Sequence, residues 1–175
     1  MPQAALLQHV PHAPDDVLKL VADVESYPNF IELISALRIT KSTNIDEMRS
    51  IFEADAIVRY KFISETFGSK IEVDKAKRAI TVTKASKGGA VKSLRNDWIF
   101  HALSDGSTLV DFDVDVRLKA FPLEILAREK FPKVAERIMG YFIDHAAKIL
   151  PVVSSPELNI SKEISNLGLS AARLL

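Results

Sequence analysis

The chain has 175 residues, of which 47% are hydrophobic and 26% charged, a balance typical of a globular protein and not of a disordered one. Lys plus Arg and Asp plus Glu both number 23, so the formal net charge is zero and we expect no DNA partner, because phosphate neutralisation drives nucleic-acid affinity. Cysteine is absent, which excludes disulfides, thiolate metal sites and cysteine nucleophiles.

The sequence carries no sign of export or membrane insertion. Residues 1–10 lack the basic start and apolar run of a signal peptide. No stretch approaches 18 uninterrupted apolar residues. We therefore expect a soluble, cytoplasmic protein whose contact with a membrane, if it has one, is peripheral and at the inner membrane.

One strand and one helix are predicted at the N-terminus. An apolar run over residues 4–12 favours a strand. Asp15 and Asp16 follow Pro14, where acidic residues favour the start of a helix. Apolar residues at helical spacing over 17–24 continue that helix.

An aromatic turn is predicted after this helix. The helix ends before Pro28, because the residue ahead of a proline disfavours helical geometry. The sequence Tyr27-Pro28-Asn29-Phe30 then forms a turn with two aromatic side chains. A second short helix is predicted after the turn, through Ile34.

The middle of the chain alternates apolar and polar residues, which is typical of strands. The predicted strands are 37–42, 47–56, 60–73, 79–85, 93–103 and 108–119. The last strand alternates most regularly, with Val110, Phe112, Val114 and Val116 on one face and Asp111, Asp113, Asp115 and Arg117 on the other. One buried and one wetted face indicate an antiparallel sheet.

Helical periodicity returns near the C-terminus. Apolar residues recur three or four apart from Ala127 to Ile149. Pro132 either begins the main helix or kinks it, and Pro151 ends it. The remaining tail, residues 151–175, is either disordered or an amphipathic helix.

This order of elements predicts an α+β domain over residues 1–150: a curved antiparallel sheet of six to seven strands wrapped around a long C-terminal helix, with two short helices after the first strand. A concave apolar space between sheet and helix is the default place for a ligand. The strand and helix faces predict its ligand-binding wall, and the aromatic turn its lid. The candidates are Leu94, Trp98, Phe100, Phe112, Val114, Phe131, Ile138 and Phe142 for the wall, and Tyr27, Pro28 and Phe30 for the lid. The alternative is that these side chains simply fill the core.

Three segments carry a resemblance to a known family. Residues 21–30, V-A-D-V-E-S-Y-P-N-F, resemble the start of the coenzyme Q-binding branch of the helix-grip (START-like, polyketide cyclase and lipid transport) superfamily. Residues 93–100, S-L-R-N-D-W-I-F, and the strand 111–118 followed by a helix with Phe142 resemble two later segments of that family. The chain departs from it at 31–34, where relatives often carry Pro-Trp, and after Phe142, where they often carry Arg-Ala.

The resemblance implies a helix-grip fold that binds ubiquinone or a similar polyprenyl lipid, in support of respiratory electron transport or quinone biosynthesis. No cofactor other than this ligand is expected. An apolar tunnel suffices for a polyisoprenoid tail, because each buried CH2 contributes about 0.8 kcal/mol.

Two other functions are compatible with the resemblance. Some bacterial relatives are described as ribosome-association toxins, although the zero net charge gives ribosome binding no support. An aromatase/cyclase or dehydratase, also found in the superfamily, would need an acid-base group in the cavity. The candidates are His9, His12, His101 and His145, and a lone histidine is more often structural, so no catalytic set is predicted.

A metal site is not expected. Asp111, Asp113 and Asp115 lie roughly 7 Å apart along one strand face, too far to share one ion. With Arg117 they are predicted to form a solvated face.

Overall fold

The computed structural model describes residues 3–60, 63–85, 89, 91–119 and 121–175, with the side chains of all of these except 60, 63 and 121–129. Seven strands of this part of the chain form one antiparallel sheet. The strands are β1 (Gln3–Val10), β2 (Ile34–Asn44), β3 (Arg49–Tyr60), β4 (Ile63–Asp74), β5 (Ala79–Lys84), β6 (Val91–Ala102) and β7 (Thr108–Leu118). Their order in the sheet is β1-β7-β6-β5-β4-β3-β2. The sheet is thus a meander from β2 to β7, and β1 returns to pair with β7.

Helices follow the first and the last strand. They are α1 (Pro14–Ala22), a 3-10 helix (Val24–Asn29), α2 (Phe121–Ile149), α3 (Ile160–Asn166) and a 3-10 turn (Ala171–Arg173). Ala135, Met139, Phe142 and Ala146 lie on one stripe of α2 and are buried against the sheet, as expected for an amphipathic helix. The predicted fold, a curved antiparallel sheet with a long C-terminal helix, is confirmed.

The alternation along β7 decides which side chains face inward. Val110, Phe112 and Val114 are buried in the main core, together with Trp98 and Phe100 of β6. The intervening residues point to the opposite face, because successive strand side chains alternate.

Two helix boundaries differ from the sequence prediction. The main helix begins at Phe121, so Pro132 lies inside it and does not begin it; residues 123–130 are mostly strong helix formers, which extend the helix toward the N-terminus. The second short helix contains the Tyr27–Pro28 step and does not follow it. A 3-10 helix tolerates Pro28 because it is short, and residues 31–33 lead directly into β2.

The C-terminal tail is a docked segment in the structure. Asn159 caps α3 by accepting a hydrogen bond from the Lys162 backbone N–H at 3.1 Å. Ile164 is fully buried against the outer face of the sheet in a cluster with Leu7, Leu103 and Leu109. Of the two alternatives for residues 151–175, the structure shows the helical one over Ile160–Asn166.

Backbone hydrogen bonds tie the tail to β1 and to Pro11, the residue that follows β1. The Val153 N–H donates to the Pro11 carbonyl at 2.8 Å, and the Leu175 N–H donates to the Leu7 carbonyl at 2.9 Å. β1 is an edge strand of the sheet, and edge strands expose unpaired backbone groups. The end of the tail therefore covers part of this edge.

The aspartate row on β7 is only partly solvated. Asp111 accepts a hydrogen bond from Arg173 of the tail and faces His101 Nε2 at 3.4 Å, and 13% of its side chain is exposed. The prediction that the whole row is a solvated face is wrong at Asp111, because the tail covers it. Across the described ranges, no group of three or more acidic or histidine side chains is placed to hold a metal ion.

None of the helices in the described part of the chain combines the length and apolarity needed to cross a membrane.

Candidate ligand cavity

A cavity of about 300 Å³ lies between the inner face of the sheet and α2. The lid region after α1 closes one side, and β2 to β7 form the curved wall. The lining residues are Val21, Val24, Tyr27, Ile31, Leu33, Ile34, Leu37, Ala56, Val58, Phe67, Ser69, Ile71, Ile80, Val82, Leu94, Asn96, Trp98, Phe112, Val114, Val116, Phe131, Ala135, Ile138 and Phe142. Ligand sites of small-molecule binders are mostly apolar and start at about this size.

The described cavity wall carries no charged side chain. Three of the described lining side chains are polar, namely Tyr27, Ser69 and Asn96, and the other twenty-one are apolar. An ion without a partner is costly to transfer into such a place, because it loses its hydration. The cavity is therefore suited to neutral, apolar molecules.

Three aromatic rings hold Trp98 in the wall. Its ring centroid lies 4.7 Å from Phe112, 5.1 Å from Phe142 and 6.1 Å from Phe100. The first two contacts are edge-to-face, the arrangement that aromatic quadrupoles favour. The indole N–H donates to Asn96 Oδ1 at 2.6 Å, so the polar end of this side chain is also fixed.

Tyr27 closes the cavity at the end nearest α1. Its hydroxyl donates to the Val21 carbonyl, and its ring meets Phe142 edge-to-face at 5.2 Å. Burial, and to a smaller extent the neighbouring Asp23, raises the pKa of the Tyr27 hydroxyl. Tyr27 is therefore neutral at any physiological pH and serves as a fixed part of the wall.

A polar cluster joins the segment after Tyr27 to α2. Glu32 accepts hydrogen bonds from Arg137 at 2.9 Å and from the Tyr141 hydroxyl at 3.1 Å. The adjacent residues Ile31 and Ile138 line the cavity. The cluster thus links the two sides of the cavity from outside, by one largely exposed ion pair and a tyrosine hydrogen bond.

Most of the predicted binding residues lie on the cavity wall. Tyr27, Leu94, Trp98, Phe112, Val114, Phe131, Ile138 and Phe142 line it. Their contact with a ligand stays a prediction.

Three predicted residues are not among the lining side chains. Phe100 is fully buried behind Trp98. Phe30 packs edge-to-face on Phe142 at 5.4 Å and stacks on His145 at 4.0 Å, and Pro28 lies inside the 3-10 helix. Phe100 and Phe30 therefore belong to the core around the cavity and not to its lining.

The part of the wall formed by β3 and β4 was not among the binding residues predicted from the sequence. Ala56 and Val58 of β3 and Phe67, Ser69 and Ile71 of β4 line the cavity. The period-two spacing of residues 67, 69 and 71 was a usable signal, because these positions share one strand face. Ser69 is small and polar, so the three positions do not stand out in the sequence as an apolar strand face.

The four histidines lie away from the described wall. His9 faces Ser107 at 2.9 Å, His12 faces the Pro151 carbonyl at 2.9 Å, and His101 faces Asp111. His145 stacks on Phe30. None of the four is among the lining residues.

A seven-stranded antiparallel sheet that grips a long helix around an apolar cavity defines the helix-grip, or START-like, class of proteins. The profile of the family described as "polyketide cyclase / dehydrase and lipid transport" matches residues 10–140. The chain belongs to this family.

Known proteins resemble the chain over most of its length. The ribosome association toxin RatA of Escherichia coli (strain K12) is 25% identical over 149 residues, which are 85% of this chain and 89% of that protein. An 18 kDa protein from Caulobacter crescentus superposes with a TM-score of 0.70 at 27% identity, over 85% of this chain and 98% of that one. A START superfamily protein from Mycobacterium smegmatis superposes with a TM-score of 0.72 at 16% identity, over 84% and 98%, a likeness in fold alone.

Proposed function

We propose that this protein binds a neutral hydrophobic molecule in the cavity, and that the ligand is ubiquinone or a related polyprenyl lipid. The observation that carries the proposal is the wall itself: about 300 Å³ of space lined by apolar side chains, with no charge among the described ones. The lipid-transport description of the family supports hydrophobic ligand binding. The role that follows is support of respiratory electron transport or quinone biosynthesis, with peripheral membrane contact during loading.

The cavity volume limits how much of such a ligand is enclosed. In another protein, an apolar cavity of about 150 Å³ binds one benzene molecule. A cavity of about 300 Å³ therefore suits one substituted ring with its first isoprene units. The rest of a long tail would extend beyond the enclosed space, with each buried CH2 contributing about 0.8 kcal/mol.

Association with the ribosome is the second candidate, and the relation to RatA of Escherichia coli favours it. The formal net charge of zero offers no overall attraction to RNA, since phosphate neutralisation dominates that affinity. Co-sedimentation with ribosomal subunits at several salt concentrations tests this candidate. Salt-sensitive association with one subunit would support it over ligand binding.

Catalysis in the cavity ranks third, although the family description includes cyclases and dehydrases. Acid-base catalysis needs a group whose pKa lies near the working pH. The described wall offers Tyr27, whose pKa is raised by burial, and the uncharged Ser69 and Asn96. This set favours binding over proton transfer.

Solvent extraction of the purified protein tests the proposed function. After expression in a host that makes ubiquinone, the extract should contain quinone at a fixed ratio to protein, measured by absorbance and mass spectrometry. Ala135→Phe should remove it, because Ala135 is a buried lining residue and the larger ring would occupy the cavity. Glu136→Phe, which adds the same ring at the exposed next position, is the matched control.

Equal quinone in both variants would mean that the lipid is bound elsewhere. A wild-type extract that holds no lipid, together with no uptake of added quinone, would contradict the proposal.

A further inference from the structure

Ser69 differs from the other buried polar residues of the protein in how its side chain is hydrogen bonded. Within the described ranges, the buried polar residues are His12, Ser69, Ser107 and Thr108. His12, Ser107 and Thr108 make side-chain hydrogen bonds of 2.9, 2.5 and 2.7 Å. Among the described residues, the one partner of the Ser69 hydroxyl is the Ala54 carbonyl, at 3.5 Å.

A separation of 3.5 Å is outside the usual range for hydroxyl hydrogen bonds, about 2.5–3.0 Å. Ser69 is also nine-tenths buried, so bulk water does not freely replace the missing partner. Buried polar groups are nearly always satisfied, and one that is not calls for an explanation. The hydroxyl therefore has capacity for a further short hydrogen bond.

The position of Ser69 directs that capacity into the cavity. Ser69 lies on β4 between Phe67 and Ile71 on the same strand face, and all three line the cavity. Lys84 of β5 is paired opposite Ser69, but its ammonium donates to the Val91 carbonyl. The neighbours of Ser69 along the strand face, Phe67 and Ile71, are apolar, so a closer partner for the hydroxyl has to come from the molecule in the cavity.

The other two polar side chains of the described wall already have short hydrogen bonds. Asn96 accepts from the Trp98 N–H at 2.6 Å and donates to the Asp113 carbonyl at 2.9 Å. The Tyr27 hydroxyl donates to the Val21 carbonyl. Asn96 and Tyr27 are thus held by the protein, whereas Ser69 is available to a ligand.

We propose that Ser69 is the polar anchor of the cavity, and that the ligand is a neutral molecule whose carbonyl or hydroxyl oxygen hydrogen bonds to the Ser69 hydroxyl. This inference rests on the proposed binding function and specifies its chemistry. The apolar body of the ligand fills the space around the anchor. A neutral head group is favoured over the carboxylate of a fatty acid, because none of the described lining residues is a cation and Lys84, opposite Ser69 on β5, donates to the Val91 carbonyl.

A pair of probes with the same bicyclic skeleton tests the anchor. Menadione carries two ring carbonyls, and 2-methylnaphthalene carries none. The chain has no cysteine, so menadione cannot alkylate a thiol of the protein. Binding of both probes is measured by calorimetry to wild type, to Ser69→Ala and to Ser93→Ala, which removes an exposed hydroxyl from β6.

Ser69→Ala should weaken menadione binding by about 2- to 12-fold, the range that one net hydrogen bond supplies. It should leave 2-methylnaphthalene unchanged or slightly tighter, and Ser93→Ala should change neither. If Ser69→Ala affects both probes equally or neither, Ser69 is not the anchor, while cavity binding stands. If wild type binds neither probe, cavity binding itself fails, and the anchor with it.

A second pair of probes tests the preference for a neutral head group. Decanol and decanoate share a chain length and differ at neutral pH in the charge of the head group. Wild type should bind decanol more tightly by at least about 10-fold, because the carboxylate would lose hydration without gaining a partner. Equal affinity for the two would overturn the assignment of a neutral ligand.

Discussion

The two faces of the sheet bury apolar side chains in different ways. On the outer face, Ile164 of the tail is fully buried in a cluster with Leu7, Leu103 and Leu109, and backbone hydrogen bonds hold the tail along β1. On the inner face, about 300 Å³ between the sheet and α2 is not filled. The chain thus covers its outer face with its own residues and leaves space on the inner face.

The residues around the cavity account for this difference. Ala56, Ser69 and Ala135 are small, and they stand where larger side chains would fill the interior. Native interiors are usually packed to the density of organic crystals, so an unfilled apolar space of this size has a stability cost. A ligand that fills the space would recover it, as the proposed function requires.

The largest expected effect is a loss of stability on replacing an isoleucine by alanine, and its size should differ between the two faces of the sheet. Ile164→Ala should destabilise the protein by about 2–5 kcal/mol, the usual cost of truncating a packed isoleucine. Ile138→Ala should cost clearly less without ligand, because Ile138 borders the cavity and part of its surface has no packing partner to lose. Urea unfolding of both variants measures the difference. Equal costs would mean that the cavity is closed by packing in solution.

An intermediate effect concerns the charged contact under the tail. Burial would raise the pKa of Asp111, but hydrogen bonds from His101 and Arg173 outweigh it and lower that pKa. A carboxylate with a lowered pKa stabilises the fold above its unfolded pKa, and that stability is lost as the pH falls through the lowered value.

Asp111→Asn should therefore cost about 1.5–3 kcal/mol at neutral pH, the range for a hydrogen bond to a charged group. This cost should shrink as the pH falls below about 3.9, the pKa of an aspartate in the unfolded chain. Urea unfolding at several pH values checks both statements. A cost that does not depend on pH would show that the charge of Asp111 plays no part in holding the tail.

The smallest effect is expected at the exposed cluster beside the cavity. Glu32→Gln removes the charge that pairs with Arg137 at 2.9 Å, and exposed ion pairs contribute only about 0–1 kcal/mol. The Tm of thermal unfolding should therefore change by no more than a few degrees. A loss as large as that of Ile164→Ala would mean that this cluster, and not apolar packing, closes the cavity.

The inner face was largely predictable from the sequence, because local periodicity determines it. Alternation along residues 93–103 and 108–119 placed Trp98, Phe112 and Val114 on one face, and the structure puts all three on the cavity wall. Phe100 shares that face and lies behind the wall. Periodicity gives the direction of a side chain and not its depth, so it could not separate wall from core.

The remaining features depend on contacts between distant residues. The pairing of Asp111 with Arg173 joins positions 62 apart, and the weak hydrogen bond of Ser69 depends on the register that places Ala54 opposite it. The docking of the tail follows from a hydrophobic cluster of Leu7, Leu103 and Leu109 that no single segment reveals. The matched family region ends at residue 140, so it includes none of the tail, residues 151–175.

Fluorescence of Trp98 measures occupancy of the cavity most directly, because it is the only tryptophan of the chain and it lies on the cavity wall. Titration with a short-tailed ubiquinone should quench the emission to saturation at one ligand per protein. Ala135→Phe should abolish the quenching, and Glu136→Phe should retain it. A wild-type signal that does not saturate, or a saturating signal that persists in Ala135→Phe, would contradict ligand binding in the cavity.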